Sequence, residues 1–478
     1  MLQHCGGLPL AIIVLRGLLS QKQAVFEWEA MHKNVKTYIN KGNLFELPGS
    51  QNSGVSGVLG LSYDELPYHL KPCFMHLANF PEDHEIKVRE LCQIWMAEGF
   101  VRSEEVGYEC LHELVQRCMV LRGKMDSVDG RIKTCRIHDL MRDLRLSKAQ
   151  EENFVKVFDC LDRQEGMDYS SSTKVRRVAI TFRKRNSVQE ILPINKDCFL
   201  RSFICYHAHF ISAVMKSLSN HFRMLRVLKL EECEVIFPKE IGELTYLHFL
   251  SLKNSNVNLL PKSIWKLRYL QILDLRISSS SNGIEDIVVL RLDQLKHLFL
   301  PFNRAVRKCL IGIENSSNLQ TLVGIFTSYT GLNLLAQLTN LTKLEIYFDR
   351  SWEGGVVFNS LRSLVVATRP KSFRDHFDSN KHDVTPIILS CPQIRKLKIG
   401  LMLIKKLPEA SQFSQELVRL TLDQTFLMND PMPTLEKLPK LKILRIVHVA
   451  VIADEIVCSS GGFPCLESLC FSKLSMKE

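Results

Sequence analysis

The sequence predicts a multidomain α+β chain: helices and a small winged unit in the first third, then a long stack of short parallel strands. Three observations predict it. The first is a recurring pattern of aliphatic, two variable residues, aliphatic, one variable, aliphatic. It reads Leu225–Leu228–Leu230, Leu247–Leu250–Leu252, Leu270–Leu273–Leu275 and Leu295–Leu298–Leu300, and runs on to Leu466–Leu469–Phe471. Looser copies stand at Val175–Val178–Ile180 and Leu200–Phe203–Cys205. Successive starts lie mostly roughly 20 to 25 residues apart, the leucine-rich-repeat period, which stacks into a solenoid with a broad concave strand face. The second is a set of helical periodicities and one hairpin signal between residues 8 and 146. The third is length, since 478 residues exceed what one core can organise.

Residues 8–22 read as a helix opening on Pro9, where a proline forfeits no hydrogen bond. Residues 23–39 read as a second helix with Trp28, Met31 and Val35 at helical spacing. Gly42 to Gly57 is rich in Gly, Ser and Asn and reads as a connection. Short helices follow at about 56–63, 67–78, 87–99 and 105–118. Met119–Arg122 and Thr134–Ile137 read as strands flanking the polar turn Asp126–Gly130. Helices plus a hairpin point to a winged helix-turn-helix unit. Another helix begins at His138, and residues 147–172 turn charged and then Ser-rich. The domains expected are therefore 1–50, a helical region; 51–150, winged helix; 151–172, linker; and 173–478, about 13 repeats.

Within each repeat the three aliphatics point inward from a strand. The next small or polar slot takes Cys233, Ser255, Ser278, Asn303 and Thr425, which can satisfy buried loop amides. Pro238–Ile241 and Leu260–Ile264 read as short return segments rather than full helices. The 33-residue gap from Leu361 to Ile394 reads as a loop insertion over Arg369–Asp383.

The bulk composition is that of ordinary globular protein, 46% hydrophobic and 24% charged. A net charge of +11, spread along the chain, permits an acidic partner without demanding one. Fifteen cysteines without a CxxC pair read as reduced thiols in a cytoplasmic protein. The apolar run Leu8–Leu19 is broken by Arg16 and is too short to span a bilayer, so it reads as a core helix.

Several motifs resemble one family. Gly7–Leu8–Pro9–Leu10–Ala11 looks like a GLPLA motif. Leu61–Ser62–Tyr63–Asp64–Glu65–Leu66–Pro67 is followed by Cys73–Phe74 and Phe80–Pro81–Glu82–Asp83. Trp95–Met96–Ala97–Glu98–Gly99–Phe100 fits the winged-helix segment, and Ile137–His138–Asp139 resembles an MHD motif with Ile for Met. Together with the repeats, the chain resembles plant nucleotide-binding leucine-rich-repeat disease-resistance proteins of the coiled-coil class. The resemblance implies an intracellular immune receptor held closed by ADP. A pathogen effector, or a host protein it modifies, releases that state, and ATP exchange and assembly with other receptor domains follow. It further implies that Pro9 packs beside adenine and that His138 reaches the β-phosphate of ADP. A contact made to ADP alone would favour the closed state.

No G-x-x-x-x-G-K-[ST] loop occurs in the sequence, so most of the usual phosphate-binding apparatus is not supplied. The expectation is a shortened relative that binds ADP or ATP very weakly by itself, with no catalytic residue and no enzyme activity. Tyr206–His207–Ala208–His209 reads as a surface loop rather than a metal site, and no metal is expected. The basic residues Lys174, Arg176, Arg177, Arg183, Lys184 and Arg185 read as the solvated side of the first repeat.

Variable slots on the strand face supply the expected partner-binding residues: Arg226, Lys229, His248, Ser251, Gln271, Asp274, His297, Phe299, Arg395 and Lys398. Several are basic, which suits an acidic patch on a protein partner. The alternatives are a non-signalling leucine-rich-repeat scaffold and a winged-helix DNA-binding regulator. The second is disfavoured because residues 87–118 carry Glu90, Glu98, Glu104, Glu105, Glu109 and Glu113 against Lys87, Arg89, Arg102 and Arg117, which repels phosphate.

Overall fold

A computed structural model describes residues 5, 7–20, 22–40, 53–160, 175–182, 199–208, 211–257, 259–278, 286–288, 292–301, 308–313, 316–326, 332–348, 355–368, 383–404, 406–448, 450–452 and 455–472. The chain forms two compact units, residues 1–250 and 251–478. The first gathers the helical region, the winged helix and the first repeats; the second holds the later repeats.

In the first unit, α1 (Pro9–Leu19) starts with proline in its first turn and buries Leu10, Val14, Leu15 and Leu18. A side chain at Gly17 would stand 2.6 Å from the backbone oxygen of Arg117, so only glycine allows this approach. The helix α2 (Val25–Asn40) opens with Glu27 accepting from the amides of Gln23 and Ala24, both at 2.9 Å. Met31 is buried, Trp28 is 43% exposed, and the surroundings of Val35 lie outside the described residues. Residues 53–57, expected in a connection, instead begin α3 (Ser53–Asp64).

The winged unit follows. It contains α4 (Leu70–His76) with a 3-10 turn to Asn79, β1 (Ile86–Lys87), α5 (Val88–Glu98), α6 (Glu104–Gln116), β2 (Leu121–Arg122) and β3 (Thr134–Arg136). The strands form an antiparallel sheet in the order β1-β3-β2, so the expected hairpin gains a third strand. That strand is only two residues long, which hides it from period-2 reading. Ser103 caps α6, its hydroxyl accepting from Val106 N at 3.3 Å. α7 (Asp139–Glu151) then leads into β4 (Lys156–Cys160).

The strand β4 corrects the linker expected over 151–172. It pairs in parallel with β5 (Arg177–Phe182), Lys156 opposite Val178 and Phe158 opposite Ile180. β6 (Ser202–Tyr206) and β7 (Val227–Glu231) continue the parallel pairing. Phe203 lies opposite Val178 on one side and Leu228 on the other. These strands sit where the repeat pattern places them.

In the second unit nine parallel strands follow chain order among the described residues, from Ile272–Asp274 to Ser468–Ser472. The middle leucine of each repeat meets its counterpart: Leu273, Leu298, Leu322, Leu344, Leu364, Leu397, Leu420, Leu444 and Leu469 are opposite one another in turn. All but the last are at most 3% exposed; Leu469 is 45% exposed. Fully burying each leucine is worth about 1.5–3 kcal/mol, and a one-residue slip would turn the ladder to the other face. The slots after the ladder do the expected work. Thr425 Oγ1 donates to Ala450 O at 2.8 Å, and the Cys233 thiol donates to Glu231 O at 3.4 Å. Asn303 and residues 369–382 of the expected insertion lie outside the described residues. The return segments are 3-10 turns, as at Lys239–Glu243 in the first unit and Lys262–Lys266 in the second. No described helix is long and apolar enough to cross a membrane.

Candidate functional site

Within the first unit, α5 lies against the strand face of the first repeats, and the contact is ionic. Glu90, Ile94 and Glu98 follow at four-residue intervals, so they share one side of α5. Glu98 is 3% exposed and Arg177, the first residue of β5, is 6% exposed. Arg177 Nε donates to Glu98 Oε2 at 3.0 Å, and its Nη2 stands 3.0 Å from the same oxygen. The guanidinium also lies over the rings of Phe154 and Phe100, at 4.1 and 4.9 Å. Arg177 was expected on a solvated face with Arg176; only Arg176 is exposed.

Lys229 in β7 makes the second pair. It is 1% exposed, with Nζ 2.5 Å from Glu90 Oε1 and 3.1 Å from Glu231 Oε2. The ammonium also sits 5.0 Å from the centre of the Tyr206 ring and 5.5 Å from that of Phe80. Burial opposes its charge, but Glu90, Tyr206 and Glu231 outweigh this and hold its pKa well above the usual lysine range. The third cation is Arg226, whose Nη1 donates to Glu98 O at 3.2 Å. Gly99 ends α5 at φ +83, and a side chain there would stand 3.2 Å from that same nitrogen.

His76 lies at the centre of this contact and is fully buried, its ring edge-on to Phe100 and Phe80 at 5.7 and 6.4 Å. Neither ring nitrogen has a hydrogen-bond partner. Burial first, then the charges of Arg177 and Lys229, push its pKa well below the usual value. His76 is therefore neutral at physiological pH.

The ten strand-face residues divide by cover. Arg395 is exposed, and Arg226, His248, Gln271, Phe299 and Lys398 are half-buried. Lys229, Ser251, Asp274 and His297 are buried, which corrects their assignment as partner-facing side chains. α5 and its carboxylates cover Lys229. Asp274 is gripped by Arg276, whose guanidinium lies over Phe299 at 4.6 Å. Ser251 is 2% and His297 1% exposed, both on strands flanked by neighbours.

Strand register in the second unit sets Lys398 in a column with residues outside the ten expected ones, Arg445 among them. One column runs Glu345, Val365, Lys398, Thr421, Arg445, Cys470 and the next Lys343, Ser363, Lys396, Arg419, Ile443, Ser468. Arg445 is exposed, and Lys398 forms an ion pair with Asp423 at 2.8 Å while staying half-buried. Period-2 alternation inside each repeat would have found both columns.

The implied nucleotide contacts lie apart in kind. Pro9 is exposed at the first turn of α1, and His138 is half-buried at the N-cap of α7. No hydrogen bond or ring contact joins them among the described residues. His138 makes no side-chain cap, and its buried Nδ1 has no partner, which suits one hydrogen bond to a phosphate oxygen. His207 pairs with Glu232 at 3.0 Å, and His209 lies outside the described residues. No three His, Cys, Asp or Glu side chains converge as metal ligands among the described residues. The exposed side of α6 presents Glu105 and Glu109.

Residues 199–477, more than half of the chain, match a leucine-rich repeat region, and residues 80–145 match the winged helix domain of disease resistance proteins. The chain belongs to the plant leucine-rich-repeat disease resistance family. It is 32% identical over 496 residues to disease resistance protein RPP8 of Arabidopsis thaliana, covering 100% of this chain and 52% of that protein. It is 31% identical over 489 residues to probable disease resistance protein RF45 of the same plant, covering 100% of this chain and 47% of that protein. The chain thus spans about half the length of the curated relatives it matches. Among solved structures, an internalin from Listeria monocytogenes is similar at 19% identity and a TM-score of 0.45, over 62% of this chain and 86% of that one. A likeness that distant does not bear on function.

Two outcomes follow from the ionic contact. Glu98→Gln leaves Arg177 buried and unpaired and is expected to destabilise the chain by about 3–5 kcal/mol, while Glu98→Gln with Arg177→Met recovers most of that loss. Urea unfolding reads both, and equal losses in the single and double variants would refute the pairing. His76 stays neutral when folded but takes up a proton when unfolded, so its stabilising contribution is complete above the unfolded value of 6.5 and fades as pH falls below it. As pH falls from 6 to 5 the native chain should lose stability more steeply than His76→Phe. Parallel stability-against-pH curves for the two would exclude this role.

Proposed function

We propose that this chain is the recognition and restraint part of an immune receptor. Its exposed strand face in the second unit captures a pathogen effector or a host protein, and its first repeats hold the winged helix in one fixed arrangement. The observation that carries the reading is the different use of one repeated slot. In the first unit the strand-face cations are consumed by Glu90 and Glu98. In the second, Arg445 and Arg395 stand exposed, and Lys398 is tied only to a half-buried aspartate. Such cations suit an acidic protein surface and raise the rate of encounter with it. Binding rather than catalysis is the activity, in the cytoplasm, and the acidic side of α6 speaks against a nucleic-acid target.

Lys398→Glu with Arg445→Glu is expected to leave stability within about 1 kcal/mol, because exposed ion pairs contribute little. It should reduce capture of protein from leaf extract at least tenfold. Capture unchanged in the double variant, with circular dichroism also unchanged, would count against this face.

The switch that the family implies turns on ADP and ATP. A bound nucleotide supplies the charged phosphate end that distinguishes its two states. In this chain His138 Nδ1 offers one hydrogen bond, worth about 1.5–3 kcal/mol to a charged acceptor. Pro9 offers a ring at the surface. Micromolar affinity needs about 8 kcal/mol. We therefore expect calorimetric titration of the chain with millimolar ADP to give no saturable heat. A micromolar dissociation constant would overturn that reading.

A further inference from the structure

A cavity of about 470 Å³ lies in the first unit, bounded by the turn Ala78–Glu82, by α7 and by β4. Its size is within the range of small-ligand sites, about 300–1,000 Å³. Neither Pro9 nor His138 forms part of its wall.

Three cations and one carboxylate line it: Arg142, Arg145 and Lys156 against Glu82. Arg145 is the unusual one. It is 2% exposed, its Nη1 donates to Leu77 O, and its Nε has no partner. No ion pair within 4.0 Å holds it among the described residues, and the Asp143 carboxylate offsets its charge only from farther away. Burial and then Arg142 push its pKa down to about 9, so the guanidinium is charged at neutral pH. Burying an uncompensated charge is costly, and proteins ordinarily supply a counter-ion. Asn79, 1% exposed, lies on the same wall. Its amide nitrogen donates to His76 O at 2.9 Å, while its Oδ1 has no partner. The residues lining the cavity therefore include a guanidinium outside any close ion pair and an amide whose oxygen has no donor.

We propose that this cavity binds a small phosphorylated polyol, its phosphate held by Arg145 and Arg142 and one hydroxyl donating to Asn79 Oδ1. Arginine forks match phosphate oxygens, and a phosphate dianion balances the two positive charges that remain when Glu82 offsets one of the three lining cations. Arg142 is held by Glu82 only at 3.6 Å, across a partly exposed contact that an anion can share. Lys156 stands at the rim over the Phe158 ring. Phe80 and Val157 supply apolar wall for a carbon skeleton.

The test is calorimetry on the full chain with three probes: glucose 6-phosphate, inositol 1-phosphate and glucose, at matched ionic strength. At least one of the two phosphates should bind with a saturable isotherm, glucose should not, and which phosphate binds tighter separates a free sugar phosphate from an inositol headgroup. Arg145→Met should weaken that binding at least tenfold. Should that variant fail to fold, Lys156→Ala at the rim should weaken it several-fold. No binding of either phosphate at millimolar concentration, or the same affinity in the variant that folds, overturns the site.

Discussion

The winged helix and the first repeats depend on buried charge that each must supply to the other. Glu98 and Arg177 are both almost entirely removed from water, as is Lys229 against Glu90. Each partner alone in that place is strongly unfavourable, so neither surface is satisfied by an approximate fit. Apolar packing tolerates small slides; a guanidinium seated over two phenylalanine rings with a carboxylate at 3.0 Å does not. The neutral His76 between these cations belongs to the same constraint. A third positive charge there would face Arg177 and Lys229 with no carboxylate of its own.

The leucine ladder sets the positions that this pairing uses. Register fixes Val178 opposite Phe203 and Phe203 opposite Leu228. The residues before and between these apolar ones then fall on the opposite face, which places Arg177 and Lys229 toward α5. Gly99 lets α5 end close to Arg226. The hydrophobic period thus decides where the charges stand, and the charges decide which arrangement of the winged helix is satisfied.

The repeats, the strand positions and the winged unit were legible in the sequence because each rests on a strong period or a paired motif. The strand Lys156–Cys160 was not, since it lacks a full copy of the leucine pattern and sits between charged segments. Burial of Lys229, Ser251, Asp274 and His297 was equally hidden. A variable slot says which way a side chain points and nothing about what lies over it. Glu90 and Glu98 gave the one available hint, being acidic residues at core-facing intervals beside Leu91, Ile94 and Trp95. Read as bulk acidity they argued against DNA; read by helical position they announce buried cations elsewhere. Arg145 is similar: its charge alone would assign it to solvent, while its place four residues after Met141 and four before Ala149 puts it on the buried side of α7.

The same slot therefore carries two chemistries, and cover separates them. Lys229 and Lys398 both occupy the variable position between the last two aliphatics of a repeat. Lys229 is desolvated, so its attraction to Glu90 is barely screened and it acts as part of the fold. Lys398 keeps 44% of its side chain in water, so its pairing with Asp423 is weak and exchangeable, and salt attenuates it. Displacing Asp423 costs little, whereas displacing Glu90 would leave the buried Lys229 ammonium with Glu231 alone. Restraint therefore suits the buried lysine and exchangeable pairing the exposed one, because burial denies Lys229 any new partner.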